Sequence, residues 1–234
     1  MFRVFFACVL CAFAGLGAAL LGNLFALHAE TSRLAFIGVI FAAFMLISIL
    51  MLFRVFRLFS EYQNVRLGLR GEQAVAEALH EAAGAGIRIF HDLEAEKIGN
   101  IDHIAVGERG VFVIETKARR RRASRNGKPE HVVVYDGKAL QFPSGTDYKA
   151  VTQAERNARW LADYLTKKTG EPVKTQPVVV VPGWYVETGG NFPVKVMNAA
   201  YLGGYLRREN EKIEAAQVRR IIAALDEKCR DVEF

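Results

Sequence analysis

Two long apolar runs occupy the front of the chain, and shorter periodic segments follow them. From Val4 to Leu27, and again from Leu34 to Phe53, there is no charged side chain. Each run reaches the roughly 20 residues a helix needs to cross a bilayer. His28-Ala29-Glu30-Thr31-Ser32-Arg33 links them, so the pattern predicts a transmembrane hairpin. A secretory signal, with Ala29 as cleavage residue, is the rival reading of the first run. That run, however, exceeds a signal core of roughly 7–15 residues, and a second follows at once. Arg3 precedes the first run and Arg54, Arg57, Arg66 and Arg70 follow the second, whereas the link carries only Arg33, offset in part by Glu30. The positive-inside bias therefore places both termini and the soluble part in the cytoplasm, at a bacterial inner membrane, with Phe53, Phe56, Phe59 and Tyr62 at the interface.

Beyond the runs the period changes. Residues Arg54 to Leu67 contain neither Pro nor Gly and extend the second span as a helix. Val75, Ala76, Leu79 and Ala82 form a stripe that predicts a helix over Gly68–Ala83, ended by Gly84 and Gly86. Strands are expected at Ile87–Phe90, around Ile101–Val106 and at Val111–Lys117, then an outer strand at His131–Tyr135 turned by Asp136-Gly137. Ala150–Lys168 is amphipathic, Pro177–Val181 reads as a buried strand, Val194–Met197 as another, and Glu209–Cys229 as a closing helix. Three parts result: a two-helix membrane hairpin over residues 1–58, a helical juxtamembrane linker over 59–67 and an α/β sandwich over 68–234, with a central mixed sheet between helices.

Charge sharpens this division. The whole chain carries 31 basic and 25 acidic side chains, net +6; four of the basic and one of the acidic precede residue 60, leaving +3 on the soluble part. That is not the balance of a protein that coats nucleic acid electrostatically, so basic charge acts locally. Three cysteines give no disulfide framework: Cys8 and Cys11 fall inside the first run, and Cys229 stands alone.

The candidate chemistry lies on two neighbouring strands. Asn100-Ile101-Asp102-His103-Ile104-Ala105-Val106 is followed by the turn Gly107-Glu108-Arg109-Gly110 and by Val111-Phe112-Val113-Ile114-Glu115-Thr116-Lys117. Strand side chains alternate faces, so Glu115 and Lys117 point the same way, and the turn folds Asp102's strand back beside them. Two carboxylates and an ammonium on one face can hold a divalent metal and orient a water toward a phosphodiester. Asp102 follows Ile101 within an apolar strand, where a lone carboxylate is costly unless paired; capping the turn after Gly99-Asn100 is its plain alternative. For Glu115 and Lys117 the plain alternative is a salt bridge. His103 alternates to the opposite face, as a structural histidine.

These residues, with Gly71-Glu72 on the preceding helix and Gln153 on a later one, resemble the PD-(D/E)XK nuclease superfamily and, within it, the nuclease-related domain family. The ordered set spans roughly Gly68 to Val181. The resemblance implies a restriction-endonuclease-like fold and Mg²⁺- or Mn²⁺-dependent hydrolysis of DNA phosphodiester bonds. Asp102 and Glu115 would be metal ligands, Lys117 would assist the attacking water, and Glu72 and Gln153 would support the site. Ile101 stands where the superfamily carries a proline, as the narrower family's pattern permits. Read from position alone, Glu72 could equally complement a helix dipole. Gln153, Asn157, Trp160 and Tyr164 would form a solvated face opposite the core face of Ala154, Ala158, Leu161 and Leu165.

Arg119-Arg120-Arg121-Arg122, with Arg125 and Lys128, follows Lys117 directly. Such a run can hold phosphate oxygens of DNA, lie on anionic lipid beside the anchor, or remain solvated. No aromatic ladder interleaves it, so stacking of single strands is not indicated there. A catalytically silent nucleic-acid-binding or membrane scaffold of the same fold is the alternative to an enzyme. The buried charges argue against it.

Overall fold

The computed structural model describes residues 31–83, 86–95, 98–121, 131–208 and 212–230. The first apolar run, Arg122 and Arg125 lie outside these residues. The chain divides into two compact units, Met1–Tyr62 and Gln63–Phe234.

The second apolar run lies on helix α1 (Thr31–Ala83), which continues through Gly68 without a break. An interior glycine costs a helix only about 1 kcal/mol, too little to end one so long. Among the described residues α1 is the one helix long and apolar enough to cross a membrane, so a two-helix hairpin is not seen. Val39, Phe53, Phe56 and Leu58 are exposed on it.

The larger unit continues through β1 (Arg88–Ala95), β2 (Gly99–Gly107), β3 (Gly110–Thr116), β4 (Val132–Tyr135), β5 (Leu140–Phe142), β6 (Gly145–Asp147), α2 (Lys149–Thr169), β7 (Gln176–Val180), β8 (Tyr185–Thr188), β9 (Lys195–Met197), α3 (Ala199–Arg208) and α4 (Ala215–Arg230). It is a mixed α/β structure with two sheets, not one. The main sheet has the order β1-β2-β3-β7-β9, and the second the order β6-β5-β4-β8. In the main sheet β1, β2 and β3 are antiparallel, while β3, β7 and β9 run parallel. β4 lies between β5 and β8, so it is an internal strand and not the outer one its alternation suggested.

Helices cover both faces of the main sheet. On one, Ala158, Leu161 and Leu165 of α2 and Ile221 and Leu225 of α4 bury Ile104, Val106, Val111 and Val113. On the other, Val75 and Leu79 of α1 and Leu202 and Leu206 of α3 bury Ala105, Phe112 and Ile114. β2 and β3 therefore lose their polar alternation, because both faces are core. The second sheet packs Val133, Tyr135, Leu140 and Phe142 against Trp184 and the first turns of α2. The expected closing helix starts at Ala215, and α3 is a separate helix ahead of it. Gly203 and Gly204 hid α3 from a propensity reading.

Candidate active site

The turn at Gly107–Gly110 returns the chain antiparallel, with His103 opposite Ile114. Gly110 takes φ +138°, a conformation other residues rarely adopt. One step further along this register sets Asp102 opposite Glu115, on the face covered by α2 and α4. A backbone bond fixes the pair: the Thr116 N–H donates to Asp102 Oδ2 at 2.7 Å.

Burial dominates the electrostatics. Glu115 is 7% exposed, and its Oε2 is buried without a hydrogen-bond partner. Desolvation first, then the neighbouring Asp102, pushes its carboxyl up to about 8, against the pull of Lys117, Arg156 and a hydrogen bond from Gln153. Asp102 rises to about 6, again by desolvation first; Glu72 and Asp92 raise it further, and the Thr116 N–H opposes them. Two carboxylates thus share a poorly solvated space in which neither ionises easily.

The candidate residues gather here from four elements. Gln153 reaches Glu115 from α2. Glu72 is exposed on α1 yet close enough for its charge to act on Asp102. The Lys117 ammonium acts on Glu115, but its Nζ lies 2.7 Å from Asp147 Oδ2, a partner three strands further along the chain, at the end of β6. Asp147 also accepts the Ala150 N–H at 3.1 Å through Oδ1, so it caps α2 while holding the lysine. Burial pushes Asp147 up, but the bonds from Lys117 and from the helix N–H groups outweigh it and hold the carboxyl below its usual range.

Asp92, Asp147 and Arg156 were not legible as site residues. Asp92 sits in β1 with φ +51° and accepts a bond from Asn100 at 2.7 Å. Asp92 is followed by Leu93 within a strand, and neither it nor Asp147 nor Arg156 carries a signal in sequence.

His103 points to the other face, where its Nδ1 lies 2.8 Å from Nδ1 of His91. Burial and His91 hold its imidazole down at about 4. The helix face assigned to solvent is turned inward instead. Asn157 is 1% exposed, and Trp160 and Tyr164 pack against the core. Positions 153, 157, 160 and 164 are offset by a single residue from 154, 158, 161 and 165, about 100° around the helix, so the two stripes are adjacent rather than opposed.

Of the arginine run, Arg119 is occupied within the protein. Its guanidinium lies over Phe142, 4.6 Å from the ring centre, bonds Ser144 and comes within 3.9 Å of Asp147. Arg120 and Arg121 are exposed.

Among the described residues no group of three or more His, Cys, Asp and Glu side chains could hold a metal by itself. Mg²⁺ commonly takes one or two carboxylates and fills its shell with water and substrate phosphate. Two crowded carboxylates, one with an unpartnered buried oxygen, fit that donor set.

Comparison with known proteins gives one finding: the family model for the nuclease-related domain matches residues 67–182. Neither the curated proteins nor the solved structures yield a match.

Proposed function

Since residues 67–182 belong to the nuclease-related domain family, we propose that this protein is a membrane-anchored, metal-dependent nuclease that hydrolyses DNA phosphodiester bonds on the cytoplasmic side. The observation that carries the reading is the pairing of the buried Glu115 with the half-buried Asp102 across the two strands. Its two carboxyls are pushed up to about 6 and about 8 by their surroundings. A structural ion pair would lower such values; a cation between them would relieve the cost.

Asp102 and Glu115 would hold Mg²⁺ or Mn²⁺, which when bound supplies Lewis acidity toward phosphoryl oxygens and lowers the pKa of water. Thr116 keeps Asp102 aimed across the strands, and Gln153 orients Glu115. Lys117, tethered by Asp147, offers a fixed positive charge beside Glu115, where charge on a reacting phosphate can be stabilised. Glu72 adds negative charge at the margin of the site. At neutral pH Glu115 holds its proton, so cation binding there releases it.

Anchoring rests on α1. Its apolar residues 37–53, most of whose side chains are exposed, cover about 25 Å of helix, close to the hydrocarbon thickness of a bilayer once residues 34–36 are added. The arginines that follow keep the domain cytoplasmic by the positive-inside bias. Arg120 and Arg121, exposed beyond Lys117, would contact DNA phosphates, with anionic lipid as the competing surface.

The test is cleavage of linear, circular and single-stranded DNA by the detergent-solubilised chain with Mg²⁺ or Mn²⁺, beside Asp102→Ala and Lys117→Ala. Cutting that each substitution lowers by about 10²-fold or more supports the assignment. DNA bound but uncut with either metal would instead favour the silent binding module.

A further inference from the structure

Outside the matched segment lies a second concave surface. A cleft of about 620 Å³ is walled by β8, β9 and α3, with Tyr185, Asn198, Tyr201, Tyr205, Arg207 and Arg208 among its lining. Two of these rings face outward: Tyr185 is 54% exposed and Tyr201 is 64% exposed. Both arginines are exposed as well, and no carboxylate lines the cleft among the described residues.

The floor carries a second observation. Gly204 lies in the middle of α3, where glycine costs a helix about 1 kcal/mol relative to alanine. A Cβ at Gly204 would meet nothing within 4 Å, and its backbone is ordinary helix. Neither packing nor conformation therefore requires glycine. What its missing side chain does is keep the cleft open on the stripe Tyr201, Gly204, Tyr205, Arg208, which runs beside the buried stripe of Leu202 and Leu206, about 100° around the helix.

The cleft also stands in a defined relation to the carboxylate pair. β3, β7 and β9 are parallel, with Glu115, Val179 and Val196 in register and Thr116, Val180 and Met197 one step on. Asn198 and Lys117 thus leave the same, carboxyl edge of the sheet, two strand spacings apart, or about 10 Å. Glu115 faces α2 and α4 while α3 covers the other face, so a strand leaving the cleft would turn over this edge, a path a few nucleotides can span.

We propose that this cleft binds a single strand of DNA, stacking a base on Tyr201 while Arg207 and Arg208 hold the flanking phosphates. Flat aromatic faces with guanidinium groups, and no carboxylate among the described lining residues, suit sequence-tolerant single-strand binding. The cleft deepens the nuclease reading, and rests on it for its role: the strand delivered to Asp102 and Glu115 is unpaired, so tailed or melted ends are the preferred substrate over blunt duplex.

The experiment uses the detergent-solubilised full chain, metal-free, and a short fluorescent oligothymidylate, with a blunt duplex for comparison. Wild type binds the oligothymidylate more tightly than the duplex. Tyr201→Ala weakens it about 10-fold. Arg207→Glu with Arg208→Glu weakens it further and flattens its dependence on salt. Gly204→Leu, which fills the cleft, does the same as Tyr201→Ala, while Gly204→Ala melts no lower than wild type and shows that α3 tolerates a side chain there. Oligothymidylate that wild type does not bind, or that all variants bind equally, overturns the proposal. Mg²⁺-dependent cleavage is followed in parallel. Cleft-dependent binding without cutting keeps the cleft and removes the nuclease reading; cutting that ignores every cleft variant, with unchanged binding, removes the cleft alone.

Discussion

Replacing Glu115 by Gln should stabilise the metal-free protein above pH 8 and leave it unchanged near pH 4.5. Gln preserves the shape and the contact with Gln153 but cannot carry charge. The folded-state value of Glu115 is raised from 4.5 to about 8, so the folded protein holds this proton more tightly than the unfolded chain does. Its contribution to stability is full below pH 4.5, is lost as pH rises through about 8, and beyond that wild type carries the whole cost of an ionised, buried carboxylate. At about 1.4 kcal/mol per pH unit, the interval caps that cost at about 5 kcal/mol. Part of it is repulsion from Asp102, and some relaxes as water enters, so we expect about 2–3 kcal/mol, or roughly 5–10 °C in melting temperature for a domain this size. The assay is thermal unfolding of wild type and Glu115→Gln in detergent from pH 4.5 to 9, with chelator and then with Mg²⁺. Mg²⁺ should raise the melting temperature of wild type at pH 8 and leave the variant where it was. A variant less stable than wild type by the same amount at every pH would refute the reasoning, because Glu115 would then be an ordinary structural partner.

Three further outcomes are expected. Gly71→Ala puts a Cβ 2.6 Å from Ala118 Cβ, so it should lower stability by about 1–3 kcal/mol despite alanine's better helix propensity; a raised melting temperature would sink the close approach of α1 to the end of β3. Asp147→Ser keeps a cap for α2 but frees Lys117, so cleavage should fall at least 10-fold with stability within about 1 kcal/mol of wild type, whereas Asp147→Ala should lose both; equal cleavage in wild type and the serine variant would leave Asp147 only a cap. Reversing Arg120 and Arg121 to Glu should weaken duplex binding and reduce its salt slope by about 2 if both meet phosphate, and loss of anionic-vesicle binding with DNA binding intact would assign them to lipid.

Much of the fold was legible because the relevant signals are local. Apolar runs on either side of Gly107-Glu108-Arg109-Gly110 announced β2, β3 and the turn between them, and the apolar period of Ala154, Ala158, Leu161 and Leu165 announced α2. What stayed hidden depends on pairing across the chain. β8 joins β4 in parallel, a partnership some fifty residues apart that splits the strands into two sheets, and no local pattern encodes it. β5 and β6 are three residues each, below the length at which period 2 can be read. A turn-like Gly-Gly in the middle of α3 outweighed its leucines until Phe112, Ile114 and Val178 were there to bury them.

The candidate site divides along the same line. Asp102, Glu115 and Lys117 could be named from spacing because sheet geometry fixes which side chains share a face over two adjoining strands. Their electrostatic state could not, since it depends on what surrounds them. Desolvation by burial is the largest influence on both carboxylates, and it arises only once the chain has folded. Lys117 makes the point most clearly. Two residues from Glu115, it invites an ion pair with that carboxylate, yet its close partner is Asp147, thirty residues on, at the end of β6 just ahead of α2. With its ammonium drawn to Asp147, Lys117 does not neutralise Glu115 at close range, and the carboxyl pair keeps the cost of ionisation that a divalent cation would relieve. The lysine is thereby kept beside the site without filling it, and the shape of that division of labour is set by where β6 ends and α2 begins.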